Sequence, residues 1–149
     1  MKRLLFIAGL VFTLCGFSQE SLLYLELGGA GPLVSVNCER QITPKSPFNL
    51  RAGLGYVVTW DYGGFTVPTG IYFLEDLRNQ NYLELGINYT FLFEGDKEDT
   101  KGFFLPAIGY RKYFLKNSGF LKVTFNPVFF NDDPIRIIPW GGISYGFRF

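Results

Sequence analysis

The side chains best suited to catalysis in this chain are a lysine and a serine, Lys122 and Ser144. Both are expected on the polar faces of adjacent strands, and a lysine can activate a serine as a nucleophile. The 149 residues include no histidine, which removes the commonest general base and the commonest neutral metal ligand. A structural hydrogen bond is the simpler interpretation of the Ser–Lys pair. We therefore expect no enzymatic activity and no catalytic residues.

Two acidic clusters could in principle bind Ca²⁺. They comprise Asp96, Glu98 and Asp99 in one segment, and Asp132 and Asp133 in another. Neither follows the spacing of a recognised calcium loop, so solvated loops are the expectation. The glycine-rich segment 28–31 lacks the lysine and the following helix of a phosphate-binding loop, and it predicts a tight turn. We expect no metal and no cofactor.

The elements that would position these residues are strands, because apolar and polar residues alternate along the chain. The clearest run is Asn81–Phe93, with Leu83, Leu85 and Ile87 on one face and Glu84 and Asn88 on the other. A period of two over this length predicts a strand with one apolar and one polar face. Similar runs occupy Ser21–Gly28, Leu33–Ile42, Asn49–Thr59, Phe65–Leu74, Phe103–Phe114, Phe120–Phe129 and Ile138–Phe149. Segments rich in Gly, Pro, Asn and Asp separate the runs and predict turns.

About eight strands of roughly ten residues predict an all-β fold, a closed antiparallel up-and-down transmembrane barrel. A tilted strand of this length matches the thickness of an outer membrane. Eight strands also enclose an interior that side chains can fill, which argues against a water-filled pore. The composition fits, with 19% aromatic and only 18% charged residues. The net charge of +1 gives no electrostatic footprint for nucleic acid.

Residues 1–18 have the pattern of a signal peptide. Lys2 and Arg3 precede an apolar stretch, Leu4–Leu14, that is too short to span a bilayer. Small residues at Gly16 and Ser18 predict cleavage before residue 19. A lipoprotein with Cys15 as the lipidated residue is an alternative that bulky Leu14 disfavours. The remaining residues, 19–149, would form the barrel domain outside the cytoplasm, in the cell outer membrane.

Periodicity does not say which face of a barrel points inward. In a soluble lipocalin-like carrier of an apolar ligand, which is the alternative function, the apolar face would point inward. Three observations favour a barrel whose apolar face points outward, toward lipid. The polar faces are poor in charge, their charges have both signs, and the last strand ends on Phe149 after aromatic or apolar residues at every second position. The charges are Glu26, Glu39, Glu84, Arg51, Arg111, Lys122 and Arg148. Opposite charges in a narrow lumen could pair, whereas unpaired buried charges are costly.

Several residues fit the strand pattern less simply. Pro68, Pro106 and Pro139 lie in or beside strand runs, where we expect strand ends or bulges because proline lacks a ladder donor. Lys112 falls on the apolar face near a strand end, where it could reach the membrane interface. Four aromatic residues are expected in interface belts or rim packing. They are Trp60, Tyr62, Tyr72 and Trp140.

A series of short motifs resembles the small, mostly uncharacterised outer-membrane β-barrel proteins of Bacteroidota, with an eight-stranded OmpA/OmpX-like architecture. The motifs are segments 24–29, 35–40, 51–56, 82–86, 108–111 and 139–149, and they occur in this order over nearly the whole mature chain. The resemblance implies a fold, an outer-membrane location and lipid as a partner. The terminal strand of this chain, which ends in Phe149, looks like the signal that the barrel-assembly machinery recognises. No specific activity is implied, so we expect a structural role or an interaction with other envelope proteins.

Overall fold

The computed structural model describes residues 21–58, 63–94, 100–116, 118–130 and 136–149. The predicted signal peptide lies outside the described residues. The described part of the chain forms ten strands: β1 (Ser21–Gly28), β2 (Val34–Gln41), β3 (Phe48–Val58), β4 (Gly63–Asp76), β5 (Asn81–Glu94), β6 (Thr100–Phe114), β7 (Gly119–Phe125), β8 (Val128–Phe130), β9 (Arg136–Ile138) and β10 (Gly141–Arg148). No helix among these residues is long and apolar enough to cross a membrane.

Eight of these strands form a closed barrel in the order β1-β10-β7-β6-β5-β4-β3-β2. All neighbours are antiparallel, and β10 closes the barrel against β1 through pairs such as Tyr24 with Gly146. Ser21, Phe149 and the connections β2–β3, β4–β5 and β6–β7 lie at one end, which we call the terminal end. The opposite end, the loop end, carries the other four connections. The predicted all-β closed antiparallel barrel of about eight strands is confirmed.

The strands are strongly staggered around the barrel. From Leu27, the register partners lead in one direction through Ile143 and Val123 to Tyr110 on β6. In the other direction, successive partners lead from Leu27 across β2, β3, β4 and β5 to Thr100, which is also on β6. These two end points lie ten residues apart, which requires the strands to tilt by roughly 35–45° from the barrel axis.

The seventh strand is shorter than predicted. The sequence pattern predicts Phe120–Phe129, but β7 ends at Phe125 and its ladder with β6 stops at the pair Ile108–Phe125. Continued in this register, Pro106 would face Pro127, and neither has an N–H to donate. The chain leaves the barrel there, and a separate hairpin of β8 and β9 precedes β10. The last strand accordingly begins at Gly141 and not at Ile138.

The prolines differ from expectation in their placement. Pro68 and Pro106 lie inside β4 and β6, and only Pro139 lies between strands. The β3–β4 ladder is interrupted between the pairs Ala52–Thr69 and Gly55–Thr66, as expected where proline removes a donor. Pro68 is therefore accommodated by a gap in one ladder, and Pro106 lies just beyond the end of the β6–β7 ladder.

Large side chains inside the barrel lie over glycines on neighbouring strands. Tyr24 is paired with Gly146, and Tyr72 with Gly86. A Cβ atom at residue 86 would lie 2.5 Å from Cδ1 of Tyr72, and one at residue 146 would overlap Tyr24. These glycines provide the space into which the tyrosine rings fold, as in aromatic rescue of a sheet glycine.

We expect Gly86→Val to destabilise the barrel by about 1–3 kcal/mol, because the added side chain must displace the Tyr72 ring. Urea unfolding in detergent micelles measures this change. The double variant Gly86→Val/Tyr72→Ala should show a favourable coupling, since the clash with the ring is then removed and only the 2.9 Å approach to the Ile71 carbonyl oxygen remains. Additive effects of the two substitutions would contradict this packing.

Candidate functional site

The interior of the barrel contains the polar residues that alternate with its outward apolar residues. Glu26, Glu39, Glu84, Arg51, Arg111 and Lys122 are each at most 3% exposed. They come from six different strands, and alternation along each strand points them inward. Asparagine, serine, threonine and tyrosine side chains fill the space between them.

One group, which we call the four-charge cluster, consists of Glu39, Glu84, Arg111 and Lys122. Arg111 Nη2 donates to both carboxylate oxygens of Glu39, at 2.7 and 2.8 Å, and its Nε pairs with Glu84. Lys122 Nζ lies 3.3 Å from Glu84 Oε2 and 3.6 Å from Glu39 Oε2. Each cation thus contacts both carboxylates, so the cluster is electrically neutral as a unit.

Aromatic and amide groups complete the four-charge cluster. The Tyr24 hydroxyl donates to Glu39 Oε2 and accepts from Lys122 Nζ, both at 3.3 Å. The Lys122 ammonium also lies 4.7 Å from the centre of the Tyr24 ring, within range of a cation–π interaction. Asn49 Nδ2 donates to Glu39 Oε1 at 2.6 Å. Such contacts reduce the cost of burying four ions.

A second group is centred on the ion pair between Arg51 and Glu26. Arg51 also donates to Asn37 Oδ1, at 2.8 Å from Nη2, and to the Tyr72 hydroxyl at 3.0 Å. The Tyr72 hydroxyl in turn donates to Asn88 Oδ1 at 2.6 Å. This chain of hydrogen bonds runs from β1 to β5 and links opposite walls of the barrel.

The β1–β2 connection covers the lumen at the loop end. Ala30 is fully buried, and its carbonyl accepts a 2.7 Å hydrogen bond from Thr90 Oγ1 on β5. Trp140 Nε1 donates to the carbonyl of Gly29 at 2.9 Å. Gly29 has a φ of +67°, and a Cβ there would lie 2.6 Å from the Glu26 carboxylate. Glycine is therefore required for this connection to fold into the barrel.

The terminal end holds a cavity of about 60 Å³. Its lining includes Tyr82, Tyr113 and Arg148, with the Arg148 guanidinium 5.4 Å from the centre of the Tyr113 ring. This volume suits a few water molecules and is far below that of a typical ligand pocket. The geometry of the described interior thus supports packing and charge neutralisation.

The two residues considered for catalysis are neighbours that bind to other groups. Lys122 and Ser144 are direct register partners on β7 and β10, and both are buried. Ser144 Oγ donates to Glu26 Oε1 at 3.4 Å, while Lys122 belongs to the four-charge cluster. The structural interpretation of this pair accounts for both contacts.

The remaining sequence candidates have different outcomes. Residues 96, 98, 99, 132 and 133 of the acidic clusters, and the aromatic residues 60 and 62, lie outside the described residues. Within the described ranges, no group of three or more His, Cys, Asp or Glu could hold a metal ion.

Trp140 packs at the rim as predicted. Tyr72 was wrongly placed in an interface belt, because its pairing with Gly86 and its bond to Asn88 hold it in the lumen.

Sequence reasoning found the charged residues of the lumen but missed the hydrogen-bonding roles of Asn37, Tyr72 and Asn88. Their inward direction could have been read from alternation, since each lies on a polar face. The distance across the lumen, however, depends on strand stagger, and alternation within one strand does not specify stagger.

The fold is similar to a solved structure, the N-terminal β-barrel domain of OprF from Pseudomonas aeruginosa. The two share 13% sequence identity and a TM-score of 0.52, over 87% of this chain and 96% of that domain. At this identity the similarity shows a shared barrel fold. The chain matches no known protein-family model and no curated protein sequence.

We expect Lys122→Met to destabilise the barrel by about 3–5 kcal/mol, because it leaves two carboxylates facing one buried cation. Adding Glu84→Gln restores neutrality and should recover a substantial part of the loss. Chemical unfolding in micelles compares the single and double variants, with exposed Glu75→Gln as a control that should change stability by less than about 0.5 kcal/mol. A single variant as stable as the parent would show that the cluster contributes little.

Proposed function

We propose that this chain is a sealed outer-membrane β-barrel with a structural or envelope-interaction role and no enzymatic activity. The observation that carries the proposal is the apolar outer surface of the barrel. Outward side chains on all eight barrel strands include large hydrophobic residues that are 36–65% exposed. They include Leu25, Val36, Leu54, Phe65, Ile87, Ile108, Val123 and Ile143. An exposed apolar surface of this extent is unusual for a soluble monomer.

Aromatic residues border this surface at two levels. Near the loop end, the ring centre of Tyr89 lies 4.7 Å from those of Phe91 and Phe104. Near the terminal end, Phe114 stacks on Tyr145 at 6.0 Å. Phe104 and Phe114 are ten residues apart on β6, or about 33 Å along the strand and about 25 Å along the axis of a barrel tilted by about 40°. This height matches the apolar band of outer-membrane barrels.

The interior supports the same proposal and disfavours the lipocalin-like alternative. A carrier of an apolar ligand needs an apolar cavity, whereas this lumen holds six buried charges and is covered by Ala30 at one end. Large side chains such as Arg111 and Tyr72 fill it. A role in which loops bind other envelope components suits a filled barrel better than transport through it.

The orientation rests on the one long connection between barrel strands, residues 126–140, which joins β7 to β10 at the loop end. The other connections have four to six residues at either end, and outer-membrane barrels carry their longer loops on the outside and short turns in the periplasm. We therefore place both termini in the periplasm and the loop end outside. The strand that ends at Phe149 exposes Ile143, Tyr145 and Phe147, which supports its recognition by the barrel-assembly machinery. The Bacteroidota affiliation implied by the sequence motifs is part of this proposal.

Fractionation of cells that express the full chain tests this function. We expect the protein in the outer-membrane fraction, with faster gel migration before boiling than after it, because a folded barrel resists detergent unfolding. Phe149→Ala should lower the folded, outer-membrane share, while Phe48→Ala, which also removes an outward aromatic residue at the terminal end, should retain it. Recovery of the parent chain from the soluble periplasm without detergent would overturn the membrane location. Equal folded shares for both variants would overturn only the proposed role of Phe149.

A further inference from the structure

The charges outside the lumen divide unequally between the two ends of the barrel. Along the sequence, the segments that join the strands at the loop end, with the adjoining strand residues, contain seven acidic and three basic residues, of which 61, 96–99, 132 and 133 lie outside the described residues: Asp61, Glu94, Asp96, Glu98, Asp99, Asp132 and Asp133, with Lys97, Lys101 and Arg136. The terminal end carries five basic residues outside the lumen, Arg40, Lys45, Arg78, Lys112 and Lys116, and Arg148 lines the cavity there. The acidic residues of its described strand ends and turns outside the lumen are Glu75 and Asp76.

The basic charge at the terminal end is concentrated on one arc. Glu75 and Asp76 lie on β4, beside the turn that carries Arg78, and Asp76 accepts a bond from the backbone N–H of Arg78 at 2.7 Å. The opposite arc runs from β6 through β7, β10 and β1 to the β2–β3 turn. It carries Arg40, Lys45, Lys112 and Lys116, with Arg148 at the mouth of the lumen, and the acidic side chain among its described residues near this end, Glu39, is buried inside the barrel. We call this arc the basic rim.

Two lysines of the basic rim lie at the proposed membrane interface. Lys112 is exposed on the outward face of β6, and Lys116 is exposed in the β6–β7 turn. The lysines flank Phe114, which stacks on Tyr145, and the Tyr110 hydroxyl donates to Asn81 Oδ1 at 2.6 Å. Lysines next to amphipathic aromatic rings are placed where their ammonium groups reach lipid headgroups.

We propose that the basic rim binds the anionic headgroups of phospholipids in the periplasmic leaflet. This inference rests on the proposed function, because it requires the terminal end to lie at that leaflet. Two properties of the rim favour this partner: its positive charge and its position directly below the exposed apolar band. A lipid whose chains pack on the band presents its phosphate to the lysines. Each Lys or Arg near an anionic bilayer surface contributes a roughly fivefold preference.

Competitive lipid binding to the purified full-length barrel tests the proposal. The sample is the folded, heat-shifted species in neutral detergent. Phosphatidylglycerol and phosphatidylcholine are added together, and native mass spectrometry measures how much of each lipid binds. We expect the parent to prefer phosphatidylglycerol. Lys112→Gln/Lys116→Gln should reduce that preference by up to roughly thirtyfold at low salt, and added salt should weaken it in the parent. Lys97→Gln/Lys101→Gln, which removes the same charge from the segment where β5 is joined to β6, should retain it.

Two results would overturn the proposal. Equal binding of both lipids by the parent would show that the rim is not a headgroup site and leave an acidic protein as the partner to examine. Equal losses in the rim and loop-end variants would assign the preference to net charge. A chain that yields no heat-shifted species contradicts the proposed barrel function, whereas a heat-shifted barrel indifferent to phosphatidylglycerol contradicts only the lipid inference.

Discussion

The pairing of charges across the lumen is the interaction on which the rest of the structure depends. Three carboxylates and three cations lie in a space with almost no solvent exposure among the described residues, and each ion contacts at least one of opposite sign. Burying six isolated ions would cost far more than a domain's net stability. The contacts run between walls that are distant in sequence, such as Arg111 on β6 with Glu39 on β2. They therefore form only when the barrel closes in the correct register.

Neutralisation inside allows the outer surface to be apolar. Because polar groups are turned inward and paired, the outward face can consist of hydrophobic residues bordered by aromatic rings, which is the arrangement a bilayer requires of a β-barrel. Glycines on the inner face serve the same end, since the space at Gly86 and Gly146 admits tyrosines that bond to the buried ions or their partners. A filled, electrically neutral interior is what the proposed structural role requires.

Alternation predicted the strands of the barrel, because their two faces differ clearly in polarity, while the charge-poor polar faces and the aromatic last strand indicated which face points inward. Together these features placed Glu26, Glu39, Glu84, Arg51, Arg111 and Lys122 on the inner face, where the structure has them paired. The β8–β9 hairpin was missed, since Phe129 continues the apolar period of β7 although Pro127 prevents pairing beyond Phe125, and the apolar residues before Gly141 were read as part of the last strand. Tyr72 was misplaced because its residue type suits both a belt and a lumen, although its position on the polar face of β4 and its glycine partner on β5 both direct it inward. Individual ion pairs depend on the ten-residue stagger, which no single strand encodes.

The proposed function requires the apolar face of each barrel strand to contact lipid. Spin labels at outward positions of β5, from Leu83 to Phe93, in a Cys38→Ser chain reconstituted into vesicles, test it most directly. The account predicts that the ratio of oxygen accessibility to that of a water-soluble nickel reagent is highest near Ile87 and falls toward both ends, with Arg78 in the adjacent turn as the aqueous control. A ratio at Ile87 as low as that at Arg78 would contradict it.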